Sequence, residues 1–371
     1  MTMTKILFLI HDLGHGGAEK VLVNLVNNLD RSKFDISVTV LFGGGVNEQF
    51  LRPDVHFRAV FPKAFPGNSH IMKLLTPKQL HALCVKEHYD IEVSYLEGPS
   101  ARIISGCDHP GTKLVSWTHC TMSSLGQLSR SFRSQREAIA CYSRFHANVF
   151  VSQSVRNAFL AHCPLDSTHV LYNTNESSRI LALADEPVEA GLFRENEIRL
   201  VGVGKLEAEK GFDRLARIHR RLIREGFPVH TCILGQGSKH PELTAFIRAE
   251  QLEDSFTLLG YRTNPYKYVA NCDLFVCASH AEGFSTAATE ALIVGTPVCS
   301  VEVSGMREML GQHNEWGIVT ENSEEALYRA IKDLLQTPAK LAHYKTQAAL
   351  RGQAFQTNQT VKAVEDMLLG L

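Results

Sequence analysis

The 371-residue sequence has little net charge and no long apolar run. Because 38 Lys and Arg residues stand against 39 Asp and Glu residues, composition gives no argument for a nucleic-acid partner. No stretch approaches the ~18 apolar residues of a membrane span. The apolar run in "MTMTKILFLIHD" is shorter than the roughly 7 to 15 residues of a signal peptide. We therefore expect a first β-strand there, and at most peripheral contact with a membrane.

The cysteines do not form the pattern of a disulfide framework. The nine cysteines are odd in number, scattered and mostly embedded in apolar runs such as "DLFVCAS". Such thiols are typical of a reducing compartment, which predicts a cytoplasmic protein, with any membrane association peripheral at the cytoplasmic membrane face. The length exceeds the roughly 250 to 300 residues at which single cores stop growing, so two domains are expected.

Short β-rich segments alternate with helical patterns along the chain. They include "KILFLI", "ISVTVLF", "DIEVSYL", "KLVSW" and "ANVFVS", and later "IRLVGVG", "VHTCILG", "FTLLG", "DLFVCAS" and "TPVCSVEV". This alternation indicates parallel sheets covered by helices on both faces, an α/β class. The polar stretch 173–197 interrupts the pattern and predicts a domain boundary. Two doubly wound lobes would bind a ligand between them, at the carboxyl ends of their strands.

A glycine-rich segment, "HDLGHGGAEK", follows the first predicted strand and opens the first predicted helix. Gly14, Gly16 and Gly17 allow backbone N–H groups to approach an anion at the positive end of that helix. The segment fails the dinucleotide fingerprint, because G-x-G-x-x-G counted from Gly14 places Glu19 at the third glycine, and no ribose-binding acid ends the second strand. An anion site and an unliganded tight turn both stay open.

Two further glycine turns follow predicted strands in the second half. "VGVGKLEAEKGFD" carries Lys205 and Lys210, which could neutralise a diphosphate or form part of a solvated surface. "ILGQGSK" carries Gly235 and Gly237, which lie at the ligand-binding edge or serve only the turn. No Asp-x-Asp pair suited to holding a metal on a diphosphate occurs in this half. Phosphate binding would therefore fall to cations and helix N-termini, with no metal.

The stretch "HAEGFSTAATE" places Glu282 and Glu290 eight residues apart. On one continuous helix they would be separated by about 12 Å, beyond the ~5 to 9.5 Å of glycosidase carboxylate pairs. Gly283 more plausibly breaks the chain, so that Ser285 or Thr286 caps a helix through "AATEALIV". Such a helix start attracts phosphate, and the glutamates suit sugar and ribose hydroxyls better than proton transfer. Alternatively, Glu290 only complements the helix dipole.

Two weaker signals lie in the first half. His119 follows the predicted strand "KLVSW" and could contact a ligand, although a histidine there is more often packed or hydrogen-bonded. "QLSRSFRSQREAIACYSRFH" predicts a helix that carries Arg130, Arg133, Arg136 and Arg144. This basic face could touch anionic lipid or an acceptor phosphate, or could simply be solvated.

Together these segments resemble the retaining glycosyltransferases of family 4, which have the GT-B fold of two facing Rossmann-like lobes. The resemblance spans nearly the whole chain and rests on "GGAEK", "VLYNTN", "GVGKLEAEKGFD", "ILGQGS", "LLGYR" and, most specific, "EGFSTAATEAL" in the family's order. It implies an N-terminal acceptor domain over residues 1–175 and a nucleotide-sugar donor domain over residues 190–354. A C-terminal helix of about 355–371 would pack back on the acceptor domain.

The resemblance also implies roles for individual positions. Glu282 would contact the transferred sugar, Lys205 and Lys210 would bind the diphosphate, and His119 would lie close to the sugar and acceptor. These four would be the catalytic residues, while Glu290 would bind the ribose hydroxyls. The other implied donor-binding positions lie in turns, strand-end loops and a helix start: Gly16, Gly17, Gly235, Gly237, Tyr261, Arg262, Gly283, Phe284, Ser285 and Thr286.

The sequence departs from the family pattern at two places. The first cation is commonly arginine, and Lys205 cannot form the bidentate fork, so we expect weaker orientation of the phosphate. The usual Pro-x-Gly-like turn after Asn173 is also altered, because Thr174 and Asn175 follow it.

The implied function is hexosyl transfer from a nucleotide diphosphate sugar, most simply a UDP sugar, with retention of anomeric configuration. The acceptor would be a saccharide or lipid-linked intermediate of bacterial surface polysaccharide, and neither cofactor nor metal would be needed. The sequence leaves the oligomeric state open. Other classes are a sugar-nucleotide isomerase or phosphorylase on the same fold, a nicotinamide oxidoreductase, and a non-catalytic nucleotide-sugar-binding protein.

Overall fold

The computed structural model describes residues 3–14 and 16–371, which form two compact units. The first unit contains the described residues up to Asn175 together with Thr357–Leu371, and the second contains Glu176–Gln356. The polar stretch 173–197, interpreted from the sequence as a boundary, contains a helix, Ser177–Ala184, that belongs to the second unit.

The first unit is a seven-stranded parallel sheet, and helices connect all successive strands except β2 and β3, which are joined by a loop with a short 3-10 helix, Glu48–Phe50. Its strands are β1 (Thr4–Ile10), β2 (Phe34–Phe42), β3 (His56–Phe61), β4 (Ile91–Ser94), β5 (Lys113–Thr118), β6 (Ala147–Phe150) and β7 (Thr168–Val170). Its helices are α1 (Gly17–Asn28), α2 (Asn68–Leu74), α3 (Pro77–Cys84), α4 (Pro99–Ile104), α5 (Leu125–Leu128), α6 (Gln135–Tyr142), α7 (Gln153–Leu160) and the C-terminal helix α16 (Thr357–Leu369).

The second unit repeats the design with a six-stranded parallel sheet. Its strands are β8 (Ile198–Val203), β9 (Val229–Leu234), β10 (Phe256–Gly260), β11 (Leu274–Cys277), β12 (Val298–Val301) and β13 (Ile318–Thr320). Its helices are α8 (Ser177–Ala184), α9 (Phe212–Arg224), α10 (His240–Ala249), α11 (Tyr266–Ala270), α12 (Thr286–Ile293), α13 (Met306–Leu310), α14 (Glu324–Gln336) and α15 (Pro338–Gly352).

Both sheets are doubly wound. The strand order is β3-β2-β1-β4-β5-β6-β7 in the first unit and β10-β9-β8-β11-β12-β13 in the second. The order reverses beside β1 and β4 in one sheet and beside β8 and β11 in the other. Open α/β sheets bind ligands outside the carboxyl ends of the strands at such a reversal. The two β-α-β lobes predicted from the sequence are confirmed.

The central strands form the cores because both of their faces are covered. Five consecutive residues of β1 are buried, as are all four residues of β4 and all six of β9. Continuous apolar strands are expected where helices pack on both faces of a parallel sheet. Eight of the nine cysteines are buried, and all nine are free thiols; Cys120 is the exposed one.

Local sequence signals place several helix starts. Asn264 accepts hydrogen bonds from the N–H groups of Tyr266 (3.1 Å) and Lys267 (3.4 Å), as an Asn before a proline at a helix start is suited to do. At the C-terminus, the Glu365 carboxylate of α16 accepts from the backbone N–H of Asp30 at 2.8 Å and from Lys33 Nζ at 2.8 Å. These bonds attach α16 to the turn after α1.

The basic segment 127–146 is not the single helix predicted from its sequence. It is broken between α5 and α6, and Phe132 in the break is buried. Arg133 donates to the carbonyls of Lys73 and Leu74, and Arg144 donates to the Cys107 carbonyl. The arginines therefore do not form one helical face, because two of them bind backbone oxygens of neighbouring segments.

Among the described residues, no helix combines the length and apolar character needed to cross a bilayer.

Candidate functional site

The loops that follow β8 and β11 meet at the carboxyl end of the second sheet. Lys210, at the end of a short 3-10 helix after β8, forms an ion pair with Glu282 of the loop after β11, with Nζ and Oε1 2.6 Å apart. Ser279 Oγ donates to the same carboxylate oxygen at 2.7 Å. The Glu282 side chain is 11% exposed and that of Lys210 is 28% exposed. A charged pair thus lies at the strand ends, within reach of solvent.

Backbone contacts join the same two loops. The N–H of His280 donates to the Glu209 carbonyl at 2.6 Å. Gly211 has φ +63°, and a Cβ there would lie 2.1 Å from the Ala278 carbonyl oxygen. A side chain at this position would therefore force the loops apart, which explains why glycine follows Lys210.

A buried arginine lies behind the Glu282 loop. Arg214, in the first turn of α9, is 4% exposed and donates to Asn322 Oδ1 at 2.8 Å and to His280 Nδ1 at 2.5 Å. Asn322 in turn donates to the Glu302 carbonyl at 3.1 Å. Burial lowers the pKa of the Arg214 guanidinium below its ordinary value. Arg214 therefore fixes His280, two residues before Glu282.

Helix α12 begins as its sequence predicts. Ser285 is the N-cap residue, and its hydroxyl accepts from the Ala288 N–H at 3.4 Å. Gly283 and Phe284 precede the helix and Thr286 is its first residue. A helix start of this kind offers backbone N–H donors to an anion.

Glu290 lies within α12 and is 7% exposed. Its Oε1 accepts a hydrogen bond from the Tyr266 hydroxyl at 3.3 Å. Because Glu282 precedes α12 and Glu290 lies more than one turn inside it, the two carboxylates are not on one helix face. The break inferred from Gly283 is confirmed.

The remaining predicted residues of the second unit occupy neighbouring loops. Lys205 is exposed after β8 and, among the residues that the structure describes, forms no ion pair. Gly235 and Gly237 pack against the loop after β8. A Cβ at Gly235 would lie 1.8 Å from the Gly204 carbonyl oxygen, and a Cβ at Gly237 would lie 2.4 Å from the Leu206 carbonyl oxygen. Close backbone packing thus accounts for both glycines.

Tyr261 and Arg262 follow β10 and are exposed, with Tyr261 61% exposed. The Arg262 guanidinium lies 6.0 Å from the ring centre of Tyr268. The structure thus joins Lys210 to Glu282 but leaves Lys205, Tyr261 and Arg262 at the surface. Their participation in ligand binding stays a prediction.

In the first unit, the predicted glycine loop lies between β1 and α1. Gly16 is the N-cap residue of α1 and Gly17 its first residue; His15 lies outside the described residues. A Cβ at Gly16 would overlap the Glu19 carboxylate, with 1.8 Å to Oε2. Before the helix, Asp12 Oδ1 accepts from the Gly14 N–H at 2.8 Å. The carboxylates of Asp12 and Glu19 thus lie against Gly14 and Gly16 at the helix start.

His119 comes directly after β5 and is 8% exposed. Its backbone N–H donates to Glu97 Oε2 at 2.9 Å, and its ring packs on Tyr95 with the ring centroids 4.9 Å apart. Its buried Nε2 has no hydrogen-bond partner among the described residues. Burial lowers the pKa of His119 to about 3, so the imidazole is neutral near pH 7. A neutral ring with one open nitrogen can hydrogen-bond a ligand but cannot supply a cation.

Ser279, Tyr266 and Arg214 were not identified from the sequence. Tyr266 and Arg214 contact residues that are distant in the chain, Glu290 and His280. Ser279 contacts Glu282 because the loop after β11 folds back on itself. Ser279 carries the best sequence signal, because it follows the strand "DLFVC" and lies three residues before Glu282. Tyr266 is marked only as the residue after an Asn-Pro helix start.

Two family models match most of the chain. A model described as glycosyltransferase family 4 matches residues 15–175, and one described as glycosyl transferases group 1 matches residues 185–351. A Campylobacter jejuni protein is 27% identical over 99% of this chain and 100% of its own length. It is named N-acetylgalactosamine-N,N'-diacetylbacillosaminyl-diphospho-undecaprenol 4-alpha-N-acetylgalactosaminyltransferase.

Solved structures resemble the whole fold. An Anabaena protein in complex with UDP matches with a TM-score of 0.78 and 21% identity, over 99% of this chain and 100% of its own. Sucrose-phosphate synthase from Thermosynechococcus elongatus matches with a TM-score of 0.78 and 17% identity, over 99% and 98% of the two chains. These likenesses confirm an α/β architecture of two Rossmann-like parallel-sheet domains.

Proposed function

The chain belongs to glycosyltransferase family 4, with the GT-B fold, and from that premise we propose that it transfers a hexosyl group from a UDP sugar with retention of configuration. The acceptor is a saccharide or lipid-linked intermediate in the synthesis of a bacterial surface polysaccharide. The observation that carries the proposal is the Lys210–Glu282 pair, held beside the start of α12 at the carboxyl end of the second sheet.

The second unit binds the donor. Lys210 and Lys205 supply positive charge for the diphosphate, and the N–H groups at the start of α12 add partial charge of the same sign. Glu290 accepts hydrogen bonds from the ribose hydroxyls, while the Tyr266 hydroxyl holds its carboxylate in place. The solved Anabaena relative in complex with UDP supports a uridine donor.

Transfer requires stabilisation of the leaving diphosphate. As the bond between the anomeric carbon and the diphosphate oxygen breaks, negative charge grows on that oxygen, and Lys210 is held where it can stabilise this charge. The diphosphate oxygen takes the proton of the acceptor hydroxyl as the new glycosidic bond forms on the same face. Glu282 orients the sugar through its hydroxyls and forms no bond to carbon. Lysines and helix N–H groups neutralise the diphosphate, so the mechanism uses no metal.

The first unit receives the acceptor. His119 offers a neutral imidazole whose Nε2 can bond a sugar or acceptor hydroxyl, and the helix start at Gly16 and Gly17 offers backbone N–H groups to an anion. The Campylobacter jejuni relative, whose name specifies a diphospho-undecaprenol acceptor, supports a lipid-linked substrate. Because that relative is matched along its full length, the proposal concerns the whole chain.

Donor choice is tested by thermal shift followed by a transfer assay. The UDP, GDP and ADP derivatives of glucose, galactose and their N-acetyl forms would be compared, since a ligand at 100 times its Kd stabilises the fold by about 2.7 kcal/mol. We expect the largest shift with a UDP sugar, and loss of that shift in Glu290→Ala. A larger shift with GDP or ADP sugars would overturn the uridine assignment. If the protein binds the donor but neither transfers the sugar nor hydrolyses the donor with any acceptor of a panel, the proposal that it is an enzyme is contradicted.

A further inference from the structure

A histidine, a glutamate and a cysteine come together inside the first unit, in a cluster formed by His81, Glu92 and Cys107. His81 Nε2 lies 2.7 Å from Glu92 Oε2, and Cys107 Sγ lies 3.7 Å from Glu92 Oε1. One nitrogen, oxygen or sulfur atom from each residue lies within 4.8 Å of the other two. The three residues come from α3, β4 and the segment after α4, so the cluster exists only in the folded unit.

Glu92 is an unusual residue for the middle of this sheet. Its side chain is 3% exposed, and its neighbours on β4, Ile91 and Val93, are buried apolar residues. Removing a carboxylate from water is costly unless opposite charge and several hydrogen bonds replace the water. His81 provides one short contact and the Cys107 thiol one long one, and neither carries a fixed positive charge. Among the residues that the structure describes, the side-chain contacts of Glu92 thus include no group with a fixed positive charge.

From this cluster we infer that His81, Glu92 and Cys107 form a binding site for a divalent zinc ion. Imidazole nitrogen, carboxylate oxygen and thiolate sulfur are the ligands that Zn²⁺ prefers. A thiolate and a carboxylate contribute two negative charges, so one Zn²⁺ with a neutral imidazole makes the buried site neutral. Zinc bonds of about 2.0 to 2.3 Å place tetrahedral ligand atoms roughly 3.3 to 3.7 Å apart, so displacements of about 1 Å would suffice.

The surroundings already hold the ligands in position. Arg144 Nη2 donates to the Cys107 carbonyl at 2.6 Å, and the Cys107 N–H donates to the Ile104 carbonyl at 3.1 Å. The His81 side chain is 16% exposed, so the cluster is in contact with solvent, which is the source of a water as the fourth ligand. Ligands that the fold already holds in position favour binding of an ion more than flexible side chains on a surface would.

The ion would stabilise the first unit and take no part in transfer. Glu92 is the second residue of β4 and Cys107 follows α4, so the cluster lies toward the amino ends of the strands. His119 follows the carboxyl end of the neighbouring strand β5. Zinc would join α3, β4 and the α4–β5 connection, and its binding would raise the free energy of unfolding of the first unit.

The first test uses the full-length protein and cobalt as the probe. Protein stripped with chelator under reducing conditions would be titrated with Co²⁺, and the absorption spectrum recorded. We expect one equivalent of Co²⁺ to produce the sulfur-to-cobalt charge-transfer band of a thiolate ligand, and one equivalent of Zn²⁺ to abolish it. A spectrum without that band would overturn the site.

Variants then assign the band to these residues. Cys107→Ser leaves the Glu92–His81 contact intact and should remove the charge-transfer band and weaken zinc binding by about tenfold or more. Cys163→Ser, which changes another buried thiol of the same unit, is the matched control and should bind zinc as the unaltered protein does. Equal zinc affinity in Cys107→Ser and Cys163→Ser would contradict the proposal.

A nearby histidine pair provides the competing explanation. His88 Nε2 and His109 Nδ1 lie 3.0 Å apart on the exposed surface and could bind a metal without a thiolate. His88→Asn should leave both the cobalt band and the zinc-dependent rise in melting temperature unchanged. If His88→Asn removes zinc binding while Cys107→Ser retains it, the ion belongs to the surface pair and the inference is wrong.

Discussion

The two units have the same kind of parallel sheet, but their strand ends carry different chemistry. In the second unit, charged groups meet, and the Lys210 ammonium and Glu282 carboxylate lie 2.6 Å apart. In the first unit, the residue directly after β5 is His119, whose ring packs on aromatic neighbours and is held neutral by burial. One sheet presents a charged pair and the other a nearly buried imidazole.

This difference agrees with the roles proposed above, in which the second unit binds a charged donor and the first unit binds an acceptor hydroxyl. A diphosphate needs cations that are in place before charge develops, since reorganising them during the reaction would cost free energy. An acceptor hydroxyl needs hydrogen-bonding partners and shielding from water, which an uncharged, packed histidine can supply. The comparison predicts that substitutions at the two strand ends will affect different measurable quantities.

The largest expected effect is on turnover in Lys210→Ala. Loss of a preorganised donor to developing charge typically costs about 2.7 to 4 kcal/mol, so kcat should fall by roughly two to three orders of magnitude. Turnover would be measured at saturating donor. Lys205→Ala is the matched control, because this exposed lysine belongs to the same loop but not to the ion pair, and its effect should be smaller. Unchanged kcat in Lys210→Ala would remove Lys210 from the mechanism.

The next effect is on donor binding in Glu290→Ala. Hydrogen bonds to a charged group contribute about 1.5 to 3 kcal/mol, so the KM for donor should rise by about tenfold to a hundredfold. Turnover at saturation should change little, because the ribose is distant from the bond that breaks. Tyr266→Phe retains the carboxylate and should raise KM only a few-fold. A fall in kcat without a change in KM would contradict the ribose role.

A smaller effect is expected on stability when Gly211 is changed. In Gly211→Ala the new methyl group would meet the Ala278 carbonyl, and φ is +63°, so we expect a loss of about 1 to 3 kcal/mol. Gly226→Ala is the control, because Gly226 has φ +86° but open space around a Cβ. Urea unfolding of both variants would compare them. Equal losses would show that the contact between the β8 and β11 loops adds nothing to stability.

The smallest expected effect at neutral pH is that of His119, which changes stability only as the pH falls. Its pKa is about 3 in the folded protein and near the ordinary 6.5 in the unfolded chain, so the unfolded state binds the proton first as pH falls. Between pH 6.5 and 3 this group should lower the free energy of unfolding by about 1.4 kcal/mol per pH unit. His119→Gln should remove that slope.

The two tryptophans allow this slope to be followed in each unit. Trp117 lies in the first unit and Trp316 in the second, so Trp316→Phe leaves a fluorescent probe of the first unit alone. His219→Gln is the matched control, because burial also lowers the pKa of His219 to about 3, but in the second unit. A first-unit slope that is identical with and without His119 would contradict its neutral, buried state.

The sequence predicts the central strands and several helix limits well. Helix α9 begins at Phe212 and ends at Arg224, and its apolar period and the glycine before it, Gly211, are both visible in the sequence. Strands β3, β7 and β13 were not identified. They lie at sheet edges, are only three to six residues long, and in β3 and β7 no residue is fully buried, so no continuous apolar run marks them.

Site residues that lie in a local sequence motif can be predicted, whereas contacts between segments that are distant in the chain cannot. Lys210, Glu282 and Glu290 stand out because charged residues beside glycine turns and a helix cap have a recognisable spacing. The contact of Tyr266 with Glu290 and that of Arg214 with His280 depend on how strands and helices pack, which no local pattern specifies. The His81, Glu92 and Cys107 cluster was missed for the same reason.

The central claim of the proposed mechanism is that this glycosyltransferase joins the acceptor to the sugar on the face that the diphosphate leaves, with retention of configuration. The most direct measurement is the proton NMR spectrum of the product formed from a UDP sugar of α configuration. We predict an α-linked product, observed as the small coupling constant of its anomeric proton. A β-linked product would contradict same-face transfer, and with it the roles given to Lys210 and Glu282.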